Sequence, residues 1–178
     1  MPAEFLLRPA SLSDRKTIAA MLEEARAWLA ERGIDQWNRP FDDAWISLKL
    51  DAGEFFIAER NGDAVGVVRL LDEDRPFWGD RDRGDSLYIH SLATCRDLAG
   101  QQLGAQILAE IATLARARNR STLRLDCVAA NPRLIAYYAS HGFAPVDTIT
   151  LGDFEMVLME RSLLPDVRAA MPGTEVQC

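Results

Sequence analysis

A strand-like run, a glycine-containing turn and an amphipathic helix follow one another between residues 86 and 118, and this order constrains the fold most. The run SLYIHSLAT (86–94) is rich in β-forming residues, and RDLAGQQLG leads into a segment with helical apolar spacing. That apolar stripe consists of Leu103, Ile107, Leu108, Ile111 and Leu114. Unpaired N–H groups and the helix dipole meet at a helix start, so the turn is a candidate phosphate site; glycines also occur there for packing reasons alone.

The rest of the sequence alternates between segments with strand-like and segments with helix-like spacing of apolar residues. A short strand at 4–8 precedes two helical segments, which end near Gly33 and Gly53. Two β-rich runs then meet at Asn61-Gly62, a strong hairpin signal, so we expect antiparallel strands there. A polar, acidic loop leads into the run at 86. After the stripe-bearing helix come a strand at 121–129, a helix opening at Pro132, and two closing strands.

Size and charge narrow the class of protein. The chain has 178 residues and a formal net charge of -7, which suits one domain and argues against binding nucleic acid or an anionic membrane. We expect a domain over residues 1–162 and a flexible tail over 163–178. The N-terminus carries charge too early for a secretory signal and no apolar run approaches a membrane span, which favours a cytoplasmic protein. Cys95, Cys127 and Cys178 form no metal or disulfide pattern, so we expect no metal.

The turn resembles the pyrophosphate loop of the GNAT superfamily of acetyl-CoA-dependent N-acetyltransferases, usually written Q/R-x-x-G-x-G/A. Gly104 stands at the final glycine, whereas Ala99 replaces the usual Gln or Arg and Gln102 replaces the first glycine. The resemblance implies that the diphosphate of acetyl-CoA lies against this loop. Its residues are Ala99, Gly100, Gln101, Gln102, Leu103, Gly104 and Ala105.

A second match lies downstream in VAANPRLIAYYASHGF, where Asn131, Tyr138, Gly142 and Phe143 fall in the register of the same family. The resemblance covers about residues 4–162. It implies an α/β (α+β) fold with a central, mixed and mostly antiparallel sheet of about seven strands, flanked by four helices. The implied order is strand, two helices, three strands, helix, strand, helix and two strands.

Acetyl transfer from a thioester to an amine needs an acid for the departing sulfur. The resemblance gives this role to Tyr138, although a helix tyrosine often only packs against a sheet. Proton transfer from a phenol, pKa about 10, to a thiolate, pKa about 8.5, costs about 2 kcal/mol. The family pattern also implies that the backbone of Leu92, Ala93 and Thr94 pairs with the pantetheine arm. Asn131 is expected to contact this arm or to cap the following helix.

The amine acceptor needs a base, because an amine with a pKa of about 10.4 is almost fully protonated at pH 7. His90 is the leading candidate, since in the family this strand borders the acetyl group and the acceptor. Asp85, at the start of the strand, is the second, and Tyr88 shares the face of His90 at the two-residue period. A single histidine in a strand can also be purely structural.

We expect acceptor specificity to come from three tryptophans, Trp28, Trp37 and Trp78, together with residues of the acidic loop that leads into the run at 86. They would form an aromatic and anionic mouth that selects a cation. The alternative is that the tryptophans fill the core and the acids are solvated. The acidic residues are Asp72, Glu73, Asp74, Asp80 and Asp82.

The resulting hypothesis is an N-acetyltransferase that moves an acetyl group from acetyl-CoA to a cationic small-molecule or peptide primary amine by direct attack. A homodimer is left open because many members of the family dimerise. The alternative is an acyl-CoA-binding sensor or interaction module without turnover, motivated by Ala99 and Gln102. An acylated tRNA as partner is disfavoured by net charge, although the basic residues Arg116, Arg118, Arg120 and Arg124 cluster in sequence.

Overall fold

The computed structural model of the protein describes residues 4–165. The strands are β1 (Phe5–Pro9), β2 (Phe55–Arg60), β3 (Asp63–Leu71), β4 (Ser86–Thr94), β5 (Thr122–Val128), β6 (Ala144–Leu151) and β7 (Phe154–Ser162). The helices are α1 (Arg15–Glu31), α2 (Asp43–Asp51), α3 (Arg75–Trp78), α4 (Leu103–Ala117) and α5 (Pro132–Ser140).

The strands form one seven-stranded sheet in the order β1-β2-β3-β4-β5-β7-β6. Only β4 and β5 pair in parallel, and every other neighbouring pair is antiparallel. This confirms the mixed, mostly antiparallel sheet and the order of the long elements. The expected helix count was wrong, because the acidic loop contains α3, a single turn that is too short to show a helical period.

Helices cover both faces of the sheet. The apolar stripe of α4 packs on one face, where Ile107 and Ile111 are fully buried. On the opposite face, α1 and α2 bury Ile18, Leu22 and Ile46 against β2 and β3. Full burial of each such side chain contributes roughly 1.5–3 kcal/mol, so the amphipathic pattern accounts for both layers.

Two turns form where the sequence predicts them, at Asn61-Gly62 and at Gly33. Asn61 and Gly62 have φ of 54° and 85°, the left-handed values of a tight hairpin, and they connect the paired ends of β2 and β3. Gly33 has φ of 66° after α1, and the N–H of Ile34 returns to the carbonyl of Leu29. Both predictions are confirmed.

A β-bulge in β4 interrupts its regular pairing with β3. Val67 pairs with Ala93 and Arg69 pairs with His90, so the single residue between Val67 and Arg69 faces two residues of β4. One of those two, Ser91, has φ of 50°. Pairing of β4 with β5 ends at Ile89. The two strands are therefore not paired with each other toward their carboxyl ends, although each keeps its other neighbour, and this leaves a cleft between them.

The C-terminal boundary lies slightly later than expected. Leu163 is buried, and its N–H donates to the carbonyl of Ser121, so the predicted tail does not begin at 163. Residues 166–178 of that tail, including Cys178, lie outside the described residues. Within residues 4–165, no helix has the length and apolar character that a membrane crossing would require.

Candidate active site

Two cavities meet in the cleft between β4 and β5. The first, of about 550 Å³, lies between α1, the end of β4, the turn at 96–104 and the start of α5. The second, of about 270 Å³, lies between β4, β5 and α3. Residues that line both cavities mark their junction: Gln36, Trp37, Leu92, Leu134 and Tyr138.

Most residues predicted to hold the coenzyme line the first cavity. They are Leu92, Ala93, Thr94, Ala99, Gly100, Gln102, Leu103, Gly104, Asn131 and Tyr138. Gln101 and Ala105 belong to the same turn but are outside this lining. The structure therefore brings the strand, the turn and the helix together around one space.

The turn leaves the amino end of α4 uncapped. Gly100 has φ of 83°, and Gln102, the residue before the helix, has φ of 56° and makes no side-chain cap. Gln106 is the first residue of α4 whose N–H reaches a backbone acceptor, the carbonyl of Gln102 at 3.1 Å. The preceding amides of the first turn are thus available to an anion.

The close approach of Tyr137 leaves no room for a side chain at Gly104. A Cβ at this position would overlap the hydroxyl oxygen of Tyr137, which lines the same cavity. The glycine therefore lets the tyrosine ring lie directly over the start of α4.

The first cavity is cationic. Arg96 and Arg133 line it, and within residues 4–165 no Asp or Glu does. The guanidinium of Arg96 lies 3.9 Å from the ring centre of Trp28, and that of Arg32 lies 4.1 Å from it. Trp28 thus lines the first cavity and stacks there with arginines, so its neighbours in this cavity are cationic and not the acidic residues expected around a cation-selecting mouth.

Tyr138 lies at the junction and is 7% exposed. Burial raises the pKa of its phenol well above the ordinary value, and nearby Cys127, Tyr137 and Asp126 act in the same direction. The hydroxyl therefore stays protonated in the free protein. Its ring also packs edge-on against Phe143, with ring centres 5.6 Å apart.

Asn131 has the predicted capping contact. Its side-chain oxygen accepts the N–H of Leu134 at 3.2 Å, and its amide donates to the side-chain oxygen of Gln36 at 3.0 Å. Gln36 belongs to the loop after α1 and was missed by the sequence analysis. The bond connects this loop to α5 across the first cavity.

His90 lies between two carboxylates. Its Nε2 atom is 2.8 Å from Oδ2 of Asp74, and its Nδ1 atom is 3.7 Å from Oδ1 of Asp126. Because Asp74 accepts the hydrogen at Nε2, we assign the lone pair to Nδ1, on the side of Asp126. The side chains of His90 and Asp126 line the second cavity.

Asp126 is an unusual carboxylate. Burial raises its pKa to about 6; His90 opposes this change and Asp74 adds to it. Its Oδ1 atom is buried and has no hydrogen-bond partner among the described residues. A buried acceptor of this kind is costly in the free protein and is satisfied when a donor enters the cavity.

Sequence reasoning assigned neither carboxylate to His90, for different reasons. Ile89 pairs with Leu125, so His90 and Asp126 are the next residues on adjacent parallel strands, a register that one sequence does not reveal. Asp74 reaches His90 only because the chain turns into α3 at this point. The acidic-loop prediction had included Asp74 for a solvent-facing mouth, whereas it is buried.

Three predicted site residues are elsewhere. Asp85 accepts from the hydroxyl of Ser86 at the opposite end of β4, about 16 Å along the strand from His90, and it lines neither cavity. Tyr88 is fully buried against Trp78, with ring centres 5.9 Å apart, and its hydroxyl accepts from Arg124. Trp78 is itself 2% exposed, and neither it nor Tyr88 lines either cavity. The predictions for these three residues were wrong, because Asp85 lies too far along the strand and because α3 covers Tyr88 and buries Trp78 against it.

Two of the remaining acidic loop residues make internal contacts. Asp72 pairs with Arg118 and Arg120, while Asp82 accepts the N–H groups of Asp74 and Gly84. Glu73 and Asp80 are exposed. Of the three tryptophans predicted to bind the acceptor, Trp37 is the one that lines the second cavity.

Comparison with protein families matches residues 20–143 to the acetyltransferase (GNAT) family. The chain is also similar to the uncharacterized N-acetyltransferase YesJ of Bacillus subtilis (strain 168), with 33% identity over 146 residues. That alignment covers 78% of this chain and 81% of the relative.

Solved structures agree with this match. A GNAT-family acetyltransferase from Listeria monocytogenes 4b F2365 is 25% identical, with a TM-score of 0.76, and the alignment covers 89% of this chain and 94% of the other. The aminoglycoside acetyltransferase AAC(6')-Ib, solved with coenzyme A and kanamycin, is 20% identical with a TM-score of 0.70, covering 89% and 95% of the two chains. The fold is the same in each case.

Proposed function

This chain belongs to the GNAT family of acetyltransferases, and we propose that it moves an acetyl group from acetyl-CoA directly to a primary amine. One observation carries the proposal. A cationic cavity and a carboxylate-bearing cavity meet at the protonated Tyr138, so that an anionic donor and a cationic acceptor have separate places on either side of one acid.

The first cavity suits the phosphates of acetyl-CoA. The uncapped amides at the start of α4 favour a diphosphate, and Arg96 and Arg133 add positive charge. The thioester that acetyl-CoA supplies is the activated acetyl group. The unpaired end of β4 favours pantetheine binding, with the backbone of Leu92, Ala93 and Thr94 acting as the edge of an added strand.

His90 is the proposed base for the acceptor. With Nε2 donating to Asp74, the Nδ1 lone pair removes a proton from the amine, directly or through one water. Asp74 fixes the orientation and the tautomer of the ring, and is a positioning residue in this scheme. The earlier alternative, Asp85, is too distant for either role.

Tyr138 is the proposed acid. As the amine nitrogen forms its bond to the acetyl carbon, the carbon–sulfur bond breaks and the tyrosine hydroxyl donates its proton to the sulfur. The N–H of Leu92 is proposed to donate to the carbonyl oxygen while negative charge develops there. Burial disfavours a thiolate in the same place as it disfavours a phenolate. The raised pKa of Tyr138 therefore does not by itself oppose this transfer.

The class of acceptor is supported by charge and by one relative. AAC(6')-Ib is named for acetylating aminoglycosides, which are amines. A carboxylate near a basic imidazole is the arrangement that binds an ammonium group and then deprotonates it.

The alternative of a binding module without turnover receives less support. It rested on Ala99 and Gln102, yet Gln102 adopts the left-handed conformation that a glycine at this position would provide. The substitution is therefore compatible with a left-handed residue at this point of the turn, and the acid and base candidates both line the second cavity.

Two measurements on the full chain test the proposal. Calorimetry with acetyl-CoA measures donor binding, and thiol release with mass-spectrometric detection of the acetylated product measures transfer across an amine panel. We expect binding and amine-dependent release. Binding without acetylation of any amine supports the binding module and overturns the proposal.

A further inference from the structure

The second cavity has an uneven chemical lining. Its walls include Trp37, Phe77, Leu125, Val128, Leu134 and Met156, and its charged side is confined to His90 and Asp126. Within residues 4–165, no Lys or Arg lines it. The uncharged polar residues Gln36, Ser91 and Tyr138 line it as well, so an acceptor there meets one anionic side and a wall of mixed polar and apolar groups.

The inference rests on the proposed function and narrows its acceptor. We propose that the second cavity selects small primary amines that carry no carboxylate, bound by their ammonium group between Asp126 and His90.

The ammonium position follows from the two acceptor atoms. Oδ1 of Asp126 is buried without a partner, and Nδ1 of His90 is 3.7 Å from it. This separation is too long for a direct hydrogen bond, but one nitrogen with two hydrogens can donate to both atoms. The same contact satisfies the buried carboxylate and places the amine against the base.

A carboxylate on the acceptor has no counterpart in this cavity. Burying an anion without a cation or a set of donors is strongly unfavourable, and Asp126 would repel it. Free amino acids are therefore disfavoured relative to the amines that lack only the carboxyl group. By the same reasoning, Arg96 and Arg133 cannot compensate, because both line the first cavity.

Size limits the acceptor as well. The cavity volume of about 270 Å³ is just below the usual range for small-molecule sites, roughly 300–1,000 Å³. Phe77 and Trp37 offer flat apolar surface that suits a ring, while Gln36 and Ser91 offer hydrogen-bonding groups.

The test compares two matched acceptors as substrates of the unmodified enzyme at saturating acetyl-CoA. The acceptors are 2-phenylethylamine and L-phenylalanine, which differs from it by one carboxylate. We expect kcat/KM for 2-phenylethylamine to exceed that for L-phenylalanine by about 100-fold or more. Equal or better turnover of L-phenylalanine overturns the inference but leaves acetyl transfer intact, whereas no acetylation of any amine overturns both.

A variant pair tests the ammonium contact. Asp126→Asn keeps the shape of the side chain but removes its charge, so we expect KM for 2-phenylethylamine to rise about tenfold or more while KM for acetyl-CoA stays within twofold. Asp153→Asn, an exposed carboxylate in the turn between β6 and β7, is the matched control and leaves both constants unchanged. An unchanged amine KM in Asp126→Asn overturns the proposed contact.

Discussion

The Nε2 atom of His90 lies 2.8 Å from Oδ2 of Asp74, a carboxylate that is 4% exposed. A bond of this length to a buried acceptor holds the imidazole in one orientation. It leaves Nδ1 beside the second cavity. The orientation of the proposed base therefore depends on a residue that does not line that cavity.

Removing this orienting charge should reduce turnover. In Asp74→Asn, the amide can donate to Nε2, which favours the tautomer with its hydrogen on Nδ1 and blocks the basic lone pair. We expect kcat to fall about 100-fold or more, with KM for acetyl-CoA unchanged, when thiol release is followed against pH. Asp80→Asn in the same loop is the control, because Asp80 is exposed. A kcat within threefold of the unmodified enzyme would contradict this role.

Removal of the hydroxyl group should have different effects on turnover at the two neighbouring tyrosines. Tyr138→Phe keeps the buried ring but removes the proposed acid, so kcat should fall roughly 100-fold. Tyr137→Phe is the matched comparison, because the Tyr137 hydroxyl lies over Gly104 and that residue does not line the second cavity. We expect its kcat to stay within threefold. Circular dichroism should show the same fold for both, and equal losses in the two variants would remove Tyr138 from its role.

The contact between Gly104 and Tyr137 predicts a steric effect on donor binding. Gly104→Ala places a Cβ where the tyrosine hydroxyl lies, so the ring must move within the first cavity. We expect KM for acetyl-CoA to rise about tenfold, equivalent to about 1.4 kcal/mol. Adding Tyr137→Phe removes the overlapping oxygen and should recover part of the loss. Additive effects in this double-mutant cycle would refute the steric explanation.

Gln102 offers a test of backbone strain. Its φ of 56° is accessible to glycine without cost, whereas a β-branched residue is strongly disfavoured there. We expect Gln102→Val to lower the free energy of unfolding by about 1–2 kcal/mol in urea titrations, and Gln102→Gly to change it by less than about 1 kcal/mol. Retention of acetyl-CoA affinity in Gln102→Gly would agree with an unaltered turn. Equal stability of the two variants would be inconsistent with strain at this position.

Local patterns in the sequence predict the fold and the coenzyme side of the candidate site. Asn61-Gly62, the α4 stripe and the register from Asn131 to Phe143 each depend on neighbouring residues, so the strands and long helices follow from them. The pairing of β4 with β5 joins residues 36 apart, as Ile89 and Leu125 show, and no local pattern encodes it. Asp126 was missed for that reason. Tyr88 was misassigned because α3, a single turn, covers its face.

Asp126 should make the stability of the protein depend on pH. Its pKa is about 6 in the folded chain and about 3.8 when solvated, because burial penalises the charged form. His90 and Asp74, the titratable groups that face it from β4 and from the segment before α3, act on this pKa in opposite directions. Since the folded state binds this proton more tightly, the carboxyl costs nothing below about pH 4 and costs most above about pH 7.

The difference corresponds to about 3 kcal/mol at pH 8. Asp126→Asn cannot ionise, so its free energy of unfolding should exceed that of the unmodified protein by up to this amount at pH 8 and match it near pH 4. Urea titrations at pH 4, 6 and 8 measure the trend, with Asp153→Asn expected to show none. A gain that is constant with pH would mean that the substitution acts through packing. A loss at pH 8 would mean that the carboxylate is already stabilised in the free protein, and Asp126 would then have no need of an ammonium ligand.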